Sequence, residues 1–384
     1  MKRKLVILSE IIAPYRIPVF NALAKHESID LHVIFLAETD PALRQWQVYK
    51  DDIRFRYQVL PSRRLRIGSH NVLLNRNLMT VLRKSSPDVI LCGGYNYLAS
   101  WQSLFWARRH RVPFSLWVES TRRDFRSGSR LVESLKASFM HRCSTFVVPG
   151  KSSFEYVMTY GAPEESIFTA PNAVDTELFS RRAESVRSDT ATHRRTLHLP
   201  ARFFLFVGRL VRAKGVFDLL QAYGALAPEL RAQIGLVFVG DGDARAELER
   251  QAKAIVPGTI LFPGFVQREQ LASYYALAEM FVFPTHTDTW GLVVNEAMAC
   301  ALPIISTSVA GCVADLVVDG WNGRVVEAGD IQQLRFAMQQ LANAPELRVQ
   351  MKEHGSERIA HYSPEACAAG IAAAVLAMVL DRHE

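Results

Sequence analysis

Two carboxylates, Asp288 and Glu296, lie eight positions apart in the stretch THTDTWGLVVNEAMACALPII (Thr285 to Ile305), with Trp290-Gly291 between them. If a helix starts near Thr289 and runs from Trp290 to Ala301, Asp288 stands at or before its N-cap and Glu296 about two turns in. A rise of about 1.5 Å per residue then separates them by roughly 10 Å along the axis. A close nucleophile–acid pair needs about 5 Å and is disfavoured; an inverting pair, at about 6.5–9.5 Å, stays open on distance alone. The spacing suits acids that grip different parts of one elongated ligand. Between them, the amides of Gly291 and Leu292 point out of the helix start, where an anion is favoured. Two hydroxyl-binding acids beside a phosphate-binding helix end describe a sugar nucleotide. On this segment alone, an Asp N-cap followed by an incidental surface Glu is the simpler reading.

Three other stretches carry comparable chemistry. FFLFVGRLVRAKG reads as a strand ending at Gly208, followed by Arg209, Lys214 and Gly215. Arg as a two-pronged donor and Lys as a point charge can hold a diphosphate at a strand-to-helix turn; a structural turn with surface cations is the alternative. FVGDGDA places Gly240 where a backbone can approach a ligand closely. Its Asp241 and Asp243 spell D-x-D, but the Gly-Asp-Gly turn alone explains them, and no metal is expected. In LFPGFV, Pro263, Gly264, Phe265 and Val266 lie against a nucleobase or form a simple turn. Neither a G-x-G-x-x-G fingerprint nor a P-loop occurs.

These residues follow short apolar runs that alternate with helical patterns, the sign of parallel α/β sheets. The runs in the first half are KLVILS, DLHVIFLA, DVILCGG, FSLWVES and TFVVPG; those in the second are FFLFVG, IGLVFVG, TILFPG, MFVFPT, PIISTS and NGRVV. SRRAESVRSDTATHRRTLHLP between them is polar and reads as a linker. The expected division is 1–178, a linker over 179–200, and 201–362, with a terminal helix over about 363–384 returning to the first domain. Ligands in such folds sit beyond the carboxyl ends of the strands.

GRLVRAKG, VGDGDA, FPGFV, DTWGLVVNEAMACALPIIST and AGCVADLVVDGWNGRVV, in that order, resemble the C-terminal half of the retaining family-4 glycosyltransferases (glycosyl transferases group 1). The resemblance covers Phe203 to about Val326; VVPGKSSFEYVMTYGAPEESIFTAPNAVDTELF is similar to the family's domain junction, and the first 140 residues match in rhythm only. It implies the GT-B architecture: α/β, two doubly wound Rossmann-like domains facing across a cleft. It further implies transfer of a sugar from a nucleoside diphosphate, UDP favoured over GDP, to a glycan or lipid-linked acceptor of cell-surface polysaccharide synthesis, with retention and no cofactor. By position, Arg209 and Lys214 match the diphosphate-binding pair, Glu296 the ribose acid and Asp288 the acid facing the donor sugar. Gly291 and Leu292 match the amides at the distal phosphate, with Gly208 and Gly240 nearby and Pro263, Phe265 and Val266 at the base. The family usually has Glu where Asp288 stands, and AGCVADLV replaces a common Gly-Gly-x-Pro-Glu pattern, leaving Asp315 in place of its Glu.

The N-terminal half is the acceptor side in this family. IIAPYRIPVF has Tyr15-Arg16 where a glycine-rich loop is common, and Arg16 is read as facing donor phosphates or an anionic acceptor, or as a plain surface arginine. Glu119 stands where many members carry a His and is the candidate for orienting the acceptor hydroxyl. Gly94 and Tyr95 end another strand of the same side.

The chain has 384 residues, 49% hydrophobic and 22% charged, and a net charge of +7. Residues 1–175 carry 25 Lys/Arg against 15 Asp/Glu, the remainder 20 against 23. The basic half suggests a phosphate-bearing acceptor or an anionic membrane face, with the segments RFRYQVLPSRRLRIGSHNVLLNRNLMTVLRK and STRRDFRSGSRLVESLK and the aromatics Trp101, Phe105 and Trp106 near it; aromatics of this kind are more often core. No nucleic-acid-reading motif occurs. Five cysteines without a CxxC pair fit free thiols in a reducing cytoplasm. MKRKLVILSEII reads as a first strand and Ala366–Leu380 as a packed helix, not a membrane span. Two other readings remain open from sequence: a sugar-nucleotide epimerase of the same architecture, and a non-catalytic sugar-binding protein.

Overall fold

Runs such as LVIL, LVFV and FFLFV have no polar alternation, which is what a strand covered by helices on both faces requires. In the computed structural model, which describes residues 2–40, 46–67, 70–122 and 130–380, each becomes a parallel strand. The chain divides into two compact units, the first of Met1–Val174 with Ser363–Glu384 and the second of Asp175–Tyr362.

In the first unit the strands are β1 (Arg3–Ser9), β2 (Ile29–Phe35), β3 (Arg56–Val59), β4 (Ser62–Ile67), β5 (His70–Asn75), β6 (Val89–Cys92), β7 (Phe114–Trp117), β8 (Thr145–Val148) and β9 (Ile167–Thr169). Seven form one sheet in the order β3-β2-β1-β6-β7-β8-β9, while β4 and β5 pair antiparallel as a separate ribbon. Leu5 to Leu8 of β1 lie in register between Leu31–Ile34 of β2 and Val89–Cys92 of β6. The strand order therefore reverses direction between β1 and β6. The helix Pro364–Leu380 closes one face of this sheet, burying Ile371, Ala374 and Val375 beside Ile7 and Ile12. A Cβ on its Gly370 would come within 2.2 Å of the Thr169 carbonyl, so a small residue is needed there. No helix among the described residues is long and apolar enough to cross a membrane.

The second unit holds β10 (Phe203–Val207), β11 (Gly235–Val239), β12 (Ile260–Gly264), β13 (Met280–Phe283), β14 (Ile304–Thr307) and β15 (Gly323–Val326), all parallel, ordered β12-β11-β10-β13-β14-β15. Here the order reverses between β10 and β13. Loops leaving the carboxyl ends on either side of such a reversal diverge and leave a crevice. Four loops inherit that position: those after β1 and β6, and those after β10 and β13.

The structure departs from the sequence-based expectation in three places. The segment expected as a linker contains two helices, Thr176–Ser188 and Thr190–Thr196, capped by the side chains of Asp175 and Asp189. Phe179, Ala183 and Val186 form an apolar stripe at helical spacing and are buried in the second unit. Arg187 donates to the carbonyls of Ala276 (3.3 Å) and Cys300 (2.5 Å), fixing this helix to its neighbours. Second, β3 and the β4–β5 ribbon lie in the basic segment that carried no strand expectation, and β9 follows the last strand read in the first half. Third, the helix expected over Trp290–Ala301 spans Leu292–Ala299. Asp288 Oδ1 accepts from the Trp290 amide (3.1 Å), turning the chain before the helix begins.

Candidate functional site

The second unit's site is built at the exits of β10 and β13. The turn Arg212–Lys214 ends at Gly215, with φ of 66°, and a Cβ there would lie 1.8 Å from the Pro284 carbonyl oxygen. Only glycine allows this contact, which presses the turn against the chain leaving β13. His286 N donates to Ala213 O (3.0 Å) and Thr285 Oγ1 to the same carbonyl (3.2 Å). The stitching delivers Lys214 to the opening carboxylate: its Nζ donates to Asp288 Oδ2 (2.5 Å) and to Thr287 O (3.0 Å). Asp288 itself is held by a bridge to Ala310 and by Gly311 N donating to its carbonyl (3.0 Å).

After Asp288 the chain turns through Gly291, with φ of 97°, into the helix Leu292–Ala299. A Cβ at Gly291 would meet the Phe283 ring at 2.8 Å. The amides of Gly291, Leu292 and Val293 donate to no protein acceptor among the described residues. They form a positive helix end beside the Lys214–Asp288 pair. Trp290 lies in the core, its Nε1 donating to Asn295 Oδ1 (2.9 Å).

Glu296 follows in the second turn of this helix. Tyr275, fully buried, donates its hydroxyl to Glu296 Oε2 (2.8 Å). Burial pushes the Glu296 carboxyl up to about 7, against the opposing pull of the Tyr275 hydroxyl and the Arg268 charge. Tyr275 was not among the expected site residues, and nothing in LASYYALAEM distinguishes it from the neighbouring Tyr274.

The remaining residues of this unit are placed as follows. Arg209 is exposed, with no side-chain partner among the described residues. Its neighbour Leu210 donates to Asp241 O (2.9 Å), Gly208 to Val239 O (3.0 Å) and Gly240 to Gly264 O (2.8 Å), so the exits of β10, β11 and β12 are meshed through backbone. Pro263 and Phe265 are exposed and Val266 half-buried just beyond β12. Asp241 Oδ1 accepts from Gly242 N (2.8 Å) and its other oxygen lies 3.5 Å from Arg245.

In the first unit, Arg16 opens the helix Arg16–Lys25 after β1, and Glu119 follows β7. The structure brings them together: Arg16 Nη2 donates to Glu119 Oε1, and its guanidinium lies over the Trp117 ring, 3.9 Å from the centroid. Arg16 is therefore not a surface arginine. Although burial opposes it, Glu119 with Tyr15 holds the Arg16 guanidinium above its ordinary value. A pocket of about 100 Å³ opens beside the pair, with Glu10, Tyr15, Trp46 and Gly93 in its wall. Trp117 ends β7 and Glu119 follows two positions later, a spacing visible in the sequence. Gly94 and Tyr95 do not line this pocket. Tyr95 packs on Phe139 (6.2 Å between rings), and its carbonyl accepts from Trp101 Nε1 (3.2 Å). Of the suspected interfacial aromatics, Trp106 is buried, Trp101 packs on the core and Phe105 is 60% exposed.

Comparison with known proteins gives a consistent picture. The family model described as Glycosyltransferase Family 4 matches residues 20–178, and that described as Glycosyl transferases group 1 matches residues 189–358. A D-inositol 3-phosphate glycosyltransferase of Xylanimonas cellulosilytica is 32% identical over 183 residues, 46% of this chain and 43% of that protein. The capsular polysaccharide biosynthesis glycosyltransferase CapM of Staphylococcus aureus is 29% identical over 157 residues, 40% of each. The chain thus spans about half the length of the curated relatives it matches. The crystal structure of Anabaena Alr3699/HepE in complex with UDP superposes with a TM-score of 0.77 at 17% identity, over 98% of this chain and 100% of that one. Sucrose-phosphate synthase of Thermosynechococcus elongatus does so with a TM-score of 0.72 at 21% identity, over all of both chains. With its two Rossmann-like halves, the chain has the GT-B architecture of these neighbours and belongs to the family-4 glycosyltransferases.

Proposed function

We propose that this protein transfers a sugar from a nucleoside diphosphate sugar to an acceptor hydroxyl, with retention of configuration. The observation that carries the proposal is the convergence of Lys214, Asp288 and the open amides of Gly291 and Leu292 at one point between the exits of β10 and β13. As the bond from the anomeric carbon to the diphosphate oxygen breaks, the acceptor oxygen bonds to that carbon on the same face, its proton passes to the departing diphosphate oxygen, and negative charge grows on the leaving group. Lys214, Arg209 and the helix end stabilise that charge without reorganising, which is worth more in a half-buried site than in water. Glu296 takes the ribose hydroxyls, Asp288 the sugar hydroxyls, and Pro263, Phe265 and Val266 the base. These side chains supply the neutralising charge, so the reading calls for no metal and no cofactor.

UDP is favoured over GDP as the nucleotide, in line with the UDP in the Anabaena neighbour. The capsular polysaccharide relative supports a glycan or lipid-linked acceptor. Glu119 orients the acceptor hydroxyl, and the first unit meets an anionic membrane on the inner face. Leu98, Phe105, Val132 and Leu135 are all about half exposed there. Trp101 against Phe139 joins their two helices (4.9 Å), and Arg108, Arg109 and Arg130 are exposed on the same pair. Apolar side chains rimmed by arginines suit an acidic lipid surface.

Incubation with a panel of UDP- and GDP-sugars tests the activity. Release of the nucleoside diphosphate, accelerated by acceptor, is expected. Formation of an epimeric donor without release would point to an epimerase, and no turnover of any donor with or without acceptor to a binding protein.

A further inference from the structure

We infer that the group accepted beside Arg16 is the uncharged, hydroxyl-bearing edge of a sugar, and that acceptors bearing a carboxylate or phosphate at that edge are rejected. The inference rests on the reading of the first unit as the acceptor side and narrows the substrate class.

Arg16 would ordinarily mark an anion site. Here its charge is already matched: Glu119 Oε1 accepts from it, Trp117 covers one face of the guanidinium, and only 11% of the side chain is exposed. The second carboxylate of the wall, Glu10, has no cation of its own among the described residues and interacts with the Tyr97 hydroxyl. With Arg16 positive and Glu10 and Glu119 negative, the described residues of the wall carry a net negative charge. An incoming carboxylate would face that charge and would have to displace Glu119 from its partner. A hydroxyl faces no such cost. Glu119 is 41% exposed, and its Oε2 has no partner among the described residues, leaving an acceptor for a sugar O–H.

Size and shape agree. A pocket of about 100 Å³ has room for several hydroxyl-sized groups. Tyr15 and Trp46 meet edge to face, 6.3 Å apart, beside it. An aromatic wall and a free carboxylate oxygen suit the C–H and O–H groups of a neutral pyranose.

The test uses the full-length chain and matched methyl glycosides that differ only at C6: glucoside and glucuronide, galactoside and galacturonide, mannoside and mannuronide. Affinity is read by ligand-observed NMR titration. In at least one pair the neutral member should bind tenfold or more tightly than its uronide. Glu119→Gln leaves the Arg16 cation unmatched and should shift that ratio at least tenfold towards the uronide. Arg16→Met should shift it the other way, and carries the test should Glu119→Gln fail to fold. Wild-type protein binding the uronide as tightly, equal weakening of both members in Glu119→Gln, or binding of no member of any pair would overturn the inference. UDP affinity is measured alongside. Its absence would strike the reading of the second unit and leave the pairwise comparison untouched.

Discussion

Lys214 Nζ lies 2.5 Å from Asp288 Oδ2, with side chains only 15% and 20% exposed. The two side chains therefore hold each other; in the proposed function Lys214 is the cation for the diphosphate and Asp288 the acid for the donor sugar. Asp288 is bonded to the lysine through Oδ2. Removing it frees the cation without removing a phosphate contact. Asp288→Ala should lower turnover by about 100-fold, the scale of losing one preorganised electrostatic contact. Initial rates of nucleoside diphosphate release check this. A rate within threefold of wild type would remove Asp288 from the reacting centre.

Lys214→Ala removes the charge itself. It should weaken UDP binding at least tenfold and abolish measurable transfer, while the chain still unfolds in one cooperative thermal transition. Fluorescence titration with UDP and a thermal scan provide the check.

Glu296 gives the site a pH dependence whose sign follows from its raised carboxyl, about 7 in the folded chain against an ordinary 4.5. Between those values the native state holds a proton that the unfolded chain has lost. Its contribution to stability is therefore full below pH 4.5, declines as pH rises to 7 and is flat above. The decline is at most about 3 kcal/mol. If Glu296 takes the ribose hydroxyls as proposed, they donate to its ionised form, and its contribution to ligand affinity should move the opposite way, rising about tenfold from pH 6 to pH 8. Both slopes should be smaller in Glu296→Gln than in wild type by the Glu296 share, as urea unfolding and UDP titration across the range will show.

In the proposed function, Arg209, Lys214 and the helix end neutralise the leaving group, and a divalent ion would then be superfluous. Excess EDTA should leave the transfer rate within twofold, and added Mg²⁺ should not raise it further. A tenfold loss reversed by Mg²⁺ would contradict the electrostatic mechanism.

The exposed apolar stripe of the first unit should bind vesicles containing phosphatidylglycerol and not pure phosphatidylcholine, with Phe105→Ser and Leu135→Ser reducing sedimentation at least fivefold. Equal binding to both lipids would contradict a basic docking face.

The strands β1, β10, β11, β13 and β14 were legible because burial on both faces writes them as largely apolar runs. The candidate donor-side residues were legible because they lie in the loops and helix starts that follow such strands. Contacts that depend on distant chain segments were not. Tyr275 reaches Glu296 from 21 positions away, and Arg16 meets Glu119 across 103. β3, with three of its four residues exposed, has no apolar signature to read. The expected linker misled because its few apolar residues, Phe179, Ala183 and Val186, are sparse in number yet correctly spaced for one helical face. The helix start was placed too early because a local Asp288–Trp290 turn precedes it.

The division of labour between the two acids is tested most directly by calorimetric titration of UDP into wild-type protein, Glu296→Ala and Asp288→Ala. The proposed function assigns Glu296 to the nucleoside end and Asp288 to the sugar end, which UDP lacks. UDP should bind wild type, lose at least tenfold in affinity in Glu296→Ala, and change less than threefold in Asp288→Ala. No binding to wild type, or a loss confined to Asp288→Ala, would contradict the account.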